Sequence, residues 1–149
     1  MINQERLVNA FCELVKIDSP SDEEEDVARH LTERLESLGF SVARDAHGNL
    51  IASEDGANPL MLSAHMDTVE PGRSIKPQVD GDIIRSDGTT ILGGDCKCGV
   101  SAVLEALASI QEDGTKHIPI EVVLTREEEP GLVGARELDY SRFSATDAV

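Results

Sequence analysis

Three groups of residues in this sequence have the side-chain types that hold metal ions and move protons. His65-Met66-Asp67 sets an imidazole two positions from a carboxylate, Asp95 follows the glycine pair Gly93-Gly94, and Glu127-Glu128-Glu129 puts three acids in a row. In extended chain, positions i and i+2 project to the same side, so Asp67 can hold the His65 imidazole in one tautomer, as the partner of a ligating histidine commonly does. Adjacent carboxylates permit a division of labour, one ligating while its neighbour handles protons. Each group also has an ordinary reading: an Asp after glycines is commonly a turn residue, a Glu triplet a solvated corner, and His-x-Asp is frequent by chance. Together they point to a hydrolytic metal site built from one His and several carboxylates.

The elements that must position these residues follow from periodicity. Leu7, Val8, Phe11, Leu14 and Val15 fall at helical spacing, so a first helix ends before Asp18-Ser19-Pro20. Ser21 and Glu24 have the spacing of a capping box, and Val27, Leu31, Leu35 and Leu38 give a second helix over about 22–38 that stops at Gly39. The acidic run 22–26 lies in its first turn, where the helix dipole favours negative charge and solvation is the plain expectation. Short strands are expected over 40–44, 50–53 and 60–64, with a hairpin turn at Asp80-Gly81. Val100, Val103, Leu104, Leu107 and Ile110 line one face of a third helix over 97–111. The β-branched run 118–125 suits a strand buried on both faces, and 131–138 begins a fourth helix. The class is therefore α/β with a central mixed or parallel sheet. Each chemical group then stands at a strand end or just before a helix, where open sheets gather ligands.

Composition narrows the possibilities. Among 149 residues, 29 Asp and Glu against 13 Lys and Arg give a formal charge of −16, which repels phosphate backbones and anionic lipid. Neither nucleic acid nor a membrane is an expected partner. No apolar run approaches the ~20 residues that span a bilayer, and the first residues lack a basic stretch leading into an apolar one, so a cytoplasmic protein is expected. Cys12, Cys96 and Cys98 form an odd count without disulfide spacing, in keeping with a reducing compartment. With 40% hydrophobic residues but 3% aromatic, the core must be built from Leu, Val, Ile and Ala. No linker or repeat divides the chain.

The segments Leu62-Ser63-Ala64-His65-Met66-Asp67-Thr68-Val69, then 86–95, then Leu124-Thr125-Arg126-Glu127-Glu128-Glu129-Pro130-Gly131-Leu132 resemble, in this order, the M20 family of dinuclear zinc peptidases, most closely its peptidase T-like branch. The resemblance implies a three-layer α/β/α catalytic domain with a central mixed sheet. It implies that His65 is a zinc ligand, Asp95 the carboxylate bridging two zinc ions and Glu129 a ligand of the second. Asp67 orients the ligand histidine, and Glu128 is the general base of hydrolysis by metal-activated water. Short peptides are the implied substrates, with release of the amino-terminal residue.

Some positions depart from the family pattern. Where the family usually has Asp-Asp-Lys-Ala-Gly, this chain reads Asp95-Cys96-Lys97-Cys98-Gly99, and Pro130 stands where an apolar or small residue is usual. The resemblance implies a cis Asp95-Cys96 peptide. Cys96 and Cys98 read most simply as small buried side chains, with soft metal ligation or redox pairing as the alternative. Family members continue with a further acidic ligand, a lid or dimerisation domain and a second His ligand. The 149 residues are thus expected to be the amino-terminal portion of the catalytic domain, weakly active alone, with an apolar sheet edge open to another copy. A silent association module and an amidohydrolase of acylated amino acids are the alternatives.

Overall fold

In the computed structural model, which describes residues 1–149, two helices open the chain: α1 (Gln4–Val15) and α2 (Glu25–Ser37). Strands β1 (Ser41–Arg44), β2 (Leu50–Ser53) and β3 (Leu60–His65) follow, then a hairpin of β4 (Gln78–Asp80) and β5 (Ile83–Arg85). The remainder comprises α3 (Gly94–Asp113), β6 (Ile120–Thr125), α4 (Val133–Glu137), a 3-10 turn (Tyr140–Arg142) and β7 (Asp147–Ala148).

The main sheet has the order β1-β2-β6-β3-β7, and β4 and β5 form a separate two-stranded sheet. Pairing is antiparallel at β1–β2 and β2–β6 but parallel at β3–β6 and β3–β7, so the sheet is mixed. Every residue of β6 is buried, as its nearly unbroken apolar run requires of a strand covered on both sides. Ile120, Val122 and Leu124 join the main core with Leu31 and Leu35 of α2 and Val100, Leu104 and Leu107 of α3. Val123, on the opposite face, meets Ile51 and Leu138, with Met61 and Phe143 alongside. That second face is thinly covered, because the expected fourth helix has only five residues. At the β3 edge, β7 pairs with Leu60 and Met61, so part of the edge expected to lie open is covered.

A buried ion pair fixes α1 on α3. Glu105, 3% exposed, accepts from Arg6 Nε at 2.6 Å and Nη2 at 3.0 Å, from the Asn3 amide at 2.6 Å and from Ser109 Oγ at 2.7 Å. Hydrogen bonding from Arg6 is the main reason its pKa falls to about 2 from 4.5. A carboxyl with a depressed folded pKa stabilises the fold above its unfolded pKa and loses that contribution as pH drops toward the folded one. Stability should therefore decline between pH 4.5 and about 2. Glu105→Gln should flatten that part of the acid limb in a series of urea titrations; an unaltered slope would show that the pair does not govern it.

The beginning of α2 differs from the sequence expectation. There is no capping box: Glu24 is the N-cap residue, and its side chain makes no capping hydrogen bond. Ser21 and Glu24 are instead drawn to distant partners, described below, and Glu24 is wholly buried rather than solvated. In α3, Asp95 and Cys96 have non-helical dihedrals, so regular helix begins at Lys97 as the periodicity predicts. The Asp95-Cys96 peptide is cis. Cys96 is half-buried against the main core, whereas Cys98 is exposed, contrary to the reading of both as buried.

Candidate metal centre

The parallel pairing of β3 and β6 sets His65 opposite Thr125, so the two strands leave the sheet side by side. The segment after β3 carries Asp67, and the segment after β6 carries the three glutamates. Asp67 ties the two together. Its Oδ1 lies 3.2 Å from His65 Nδ1 and accepts from the Glu128 amide at 2.9 Å. Its Oδ2 accepts from Ser21 Oγ at 2.7 Å and from the Glu129 amide at 3.1 Å. Burial raises the Asp67 pKa, but hydrogen bonds from His65, Ser21 and the two amides outweigh it and hold the carboxyl well below its usual range.

His65 is 7% exposed, and its Nδ1 is also 3.0 Å from the Asp67 carbonyl oxygen. These contacts turn Nε2 toward the acids: Asp95 Oδ1 is 3.1 Å away and Glu128 Oε2 3.9 Å. Burial opposes charge on the ring, yet hydrogen bonds with Asp67 and Asp95 and the nearby Glu128 charge win, raising its pKa to about 9. The Glu129 carboxyl is also pushed up, first by burial and then by Asp95, Glu128 and Asp67, against the pull of His65. Such crowding of acids around one imidazole is relieved by a cation. Two groups of donor atoms lie within 4.8 Å of one another: His65, Glu128 and Glu129, and His65, Asp95 and Cys96.

Glu127, the first of the three glutamates, turns away with φ of 47°. Its Oε2 lies 2.8 Å from His47 Nε2, although that nitrogen lacks a well-aligned hydrogen bond.

Several supports of the site were not legible as functional from local sequence. Glu24, from the start of α2, accepts from Arg126 Nε at 2.9 Å and Nη2 at 2.8 Å and from the Glu127 amide at 2.9 Å. Buried Asn49 accepts from the Arg126 amide at 2.9 Å and donates to the Gly134 carbonyl at 2.9 Å. These contacts hold the turn that carries Glu128 and Glu129. Beneath β3, Lys97 is 1% exposed and donates from Nζ to Ser19 Oγ at 2.6 Å and to the Met66 carbonyl at 2.5 Å. It thereby fixes the peptide between His65 and Asp67. Burial lowers its pKa to about 8, opposed by the charges of Asp67 and Glu24. The acidic run gave one signal, a Glu in a helix entry, but nothing local distinguishes Glu24 from its solvated neighbours. Arg126→Ala would leave the Glu24 charge buried without its partner and should cost about 3 to 5 kcal/mol of stability. A thermal melt indistinguishable from that of the parent would refute this bolt.

A mixed sheet with an imidazole and a rim of acids beyond its parallel strands is a frame suited to metal-dependent hydrolysis. The chain belongs to peptidase family M20/M25/M40, whose model matches residues 61–145, more than half its length. It is similar to a tripeptidase from Staphylococcus aureus, with 41% identity and a TM-score of 0.96 over 99% of this chain and 43% of that one. Aminopeptidase PepT from Bacillus cereus aligns with 42% identity and a TM-score of 0.94 at the same coverage. Among curated relatives, the uncharacterized protein YqjE of Bacillus subtilis is 38% identical over 98% of this chain. The cytosol non-specific dipeptidase of Escherichia coli is 31% identical over 90% of it. The chain spans 42% and 30% of the lengths of these two relatives.

Proposed function

We propose that the chain forms the amino-terminal portion of the catalytic domain of a cytoplasmic, zinc-dependent peptidase that releases the amino-terminal residue from short peptides. The observation that carries this reading is the meeting of Asp95, Glu128 and Glu129 around His65, with Asp67 tying His65 to the Glu128 and Glu129 amides. Imidazole nitrogen and carboxylate oxygens are donors that zinc accepts. His65, Asp95 and Glu129 would hold the ions, with Asp95 shared between two of them. When bound, the ions supply Lewis acidity that lowers the pKa of water and polarises the peptide carbonyl.

The chain's own groups supply the rest. Asp67 keeps His65 Nδ1 engaged, which leaves Nε2 as the ligating atom. Glu128, whose amide is fixed by Asp67 while its carboxylate reaches into the cluster, removes a proton from the attacking water and returns it to the leaving amine. Similarity to the tripeptidase and to PepT supports a short peptide with a free amino terminus as substrate. For the compartment, the support is similarity to a cytosol dipeptidase, and no helix is long and apolar enough to cross a membrane.

The test is hydrolysis of trialanine by the zinc-loaded protein, alone and after mixing with the carboxyl-terminal portion of the catalytic domain, beside N-acetyl-trialanine and N-acetylalanine. Release of free alanine from trialanine, abolished by a chelator and restored by zinc, is the expected result. Cleavage of N-acetylalanine alone would replace this reading with that of an amidohydrolase. With zinc bound and no substrate cleaved once the carboxyl-terminal portion has been added, the peptidase reading would fall.

A further inference from the structure

Glu128 and Glu129 stand in a loop whose two ends, Arg126 and Gly134, meet at one buried side chain. We infer that this side chain, Asn49, is a positioning residue for the proton transfer: it staples the ends of the loop together and so fixes where the Glu128 carboxylate stands. The inference rests on the reading of Glu128 as the base and extends it to the turn between β1 and β2.

Asn49 is wholly buried, and its carboxamide has no bond to spare. Oδ1 accepts from the Arg126 amide at 2.9 Å, while Nδ2 donates to the Gly134 carbonyl at 2.9 Å and to Asp45 Oδ2 at 2.8 Å. The Gly134 amide in turn donates to the Arg126 carbonyl at 3.1 Å, so the ends are joined a second time. Within that closure the Val133 amide donates to the Glu127 carbonyl at 2.9 Å. The Gly131 and Leu132 amides meet the Glu128 carbonyl at 2.9 and 2.7 Å. The closure depends on glycine at 134, where a Cβ would stand 2.2 Å from the Arg126 carbonyl oxygen and 2.6 Å from Asn49 Oδ1.

Asn49 is itself aimed by Asp45. Asp45 Oδ1 accepts from the amides of His47, Gly48 and Asn49 at 3.0, 2.9 and 2.9 Å, which leaves Oδ2 to face Asn49. With a carboxylate on that side, the carboxamide must turn its NH₂ toward Asp45 and Gly134 and its oxygen toward Arg126. The same turn grips the Arg126 side chain, whose Nη1 donates to the His47 carbonyl at 3.1 Å. Asp67 thus holds the amides of Glu128 and Glu129, and Asn49 holds the ends of the loop that carries them. A base must stand within hydrogen-bond reach of its proton, and a misplacement of about 1 Å costs on the order of 10²-fold in rate.

Asn49→Asp keeps the size of the side chain and the oxygen that faces Arg126, but it sets a second oxygen against Asp45 and the Gly134 carbonyl. A space-filling role would tolerate that change, and a staple would not. In the completed catalytic domain at saturating zinc, Asn49→Ala and Asn49→Asp should each lower kcat on trialanine about 10- to 100-fold with little change in KM. Asp45→Asn combined with Asn49→Asp matches donor to acceptor again between the two side chains and should recover part of the loss. Added to Glu128→Gln, Asn49→Ala should cost little more, because the group it positions is already gone.

Amide hydrogen exchange without substrate gives a readout independent of turnover. In Asn49→Ala the Arg126 and Gly134 amides should exchange at least about tenfold faster, while those of Val122 and Leu124 keep the parent's rate. Parent-like kcat and exchange in Asn49→Ala would overturn the inference and leave Glu128 as the base. A fall in kcat by the same factor with and without the Glu128 carboxylate would do so too. Faster exchange throughout β6 would make Asn49 a support of the whole fold and likewise refute its positioning role. Full turnover in Glu128→Gln alone would instead overturn the reading on which the inference rests.

Discussion

In the completed catalytic domain, Glu128→Gln should lower the turnover of a short peptide by about 10²- to 10⁴-fold while leaving bound metal unchanged. The glutamine preserves the shape of the side chain and the backbone amide that Asp67 holds at 2.9 Å, so the acids around His65 keep their places. What disappears is a carboxylate able to take a proton from water and return it to an amine. Because the step lost belongs to the reaction rather than to substrate binding, kcat should carry the fall and KM should change little. Metal content by mass spectrometry and steady-state kinetics on trialanine check both halves. A variant with the parent's turnover would remove Glu128 as the base, and one that had lost its metal would make it a ligand instead.

Asp67→Asn should be almost as damaging, for a different reason. All the hydrogen bonds to this carboxylate come from donors: His65 Nδ1 and the Glu128 amide meet Oδ1, and Ser21 Oγ and the Glu129 amide meet Oδ2. An asparagine must turn its NH₂ toward one of these sides, and in either orientation that group faces a backbone N–H. Ser21 can rotate its hydroxyl to accept, but the amide of Glu128 or of Glu129 cannot. Metal affinity should fall about 10- to 100-fold, as follows from disturbing the partner of a ligating histidine. Stability should fall by about 1 to 3 kcal/mol for the buried donor left unpaired. Isothermal titration with zinc and urea unfolding read the two effects separately. Parent-like affinity would show that Asp67 does not organise the site.

How much of this could be read from the sequence depended on the range of the interactions. The stripe of Leu31, Leu35, Val100, Leu104 and Leu107 predicts the helices that pack on the sheet, because helical periodicity is local and the core enforces it. The run at β6 likewise predicts a strand covered on both faces. His65 and Asp67 could be linked in advance because an i, i+2 relation in extended chain sets their directions. The capping box could not survive: Ser21 and Glu24 have suitable spacing, but Asp67 and Arg126 offer stronger, charged partners from far along the chain. Nor could sequence distinguish Glu127 from its neighbours, since its turn toward His47 depends on the path of the chain after β6. Lys97 lay in plain view beside Asp95, yet its task of gripping the Met66 carbonyl needs the tertiary contact between α3 and β3.

The most direct measurement is anomalous scattering at the zinc edge from crystals of the protein saturated with zinc. A peak about 2.0 to 2.1 Å from His65 Nε2, with an Asp95 oxygen also in its coordination shell, is the expected result. Zinc found only at other positions, with His65 Nε2 still facing Asp95 and unligated, would contradict a metal site on this rim.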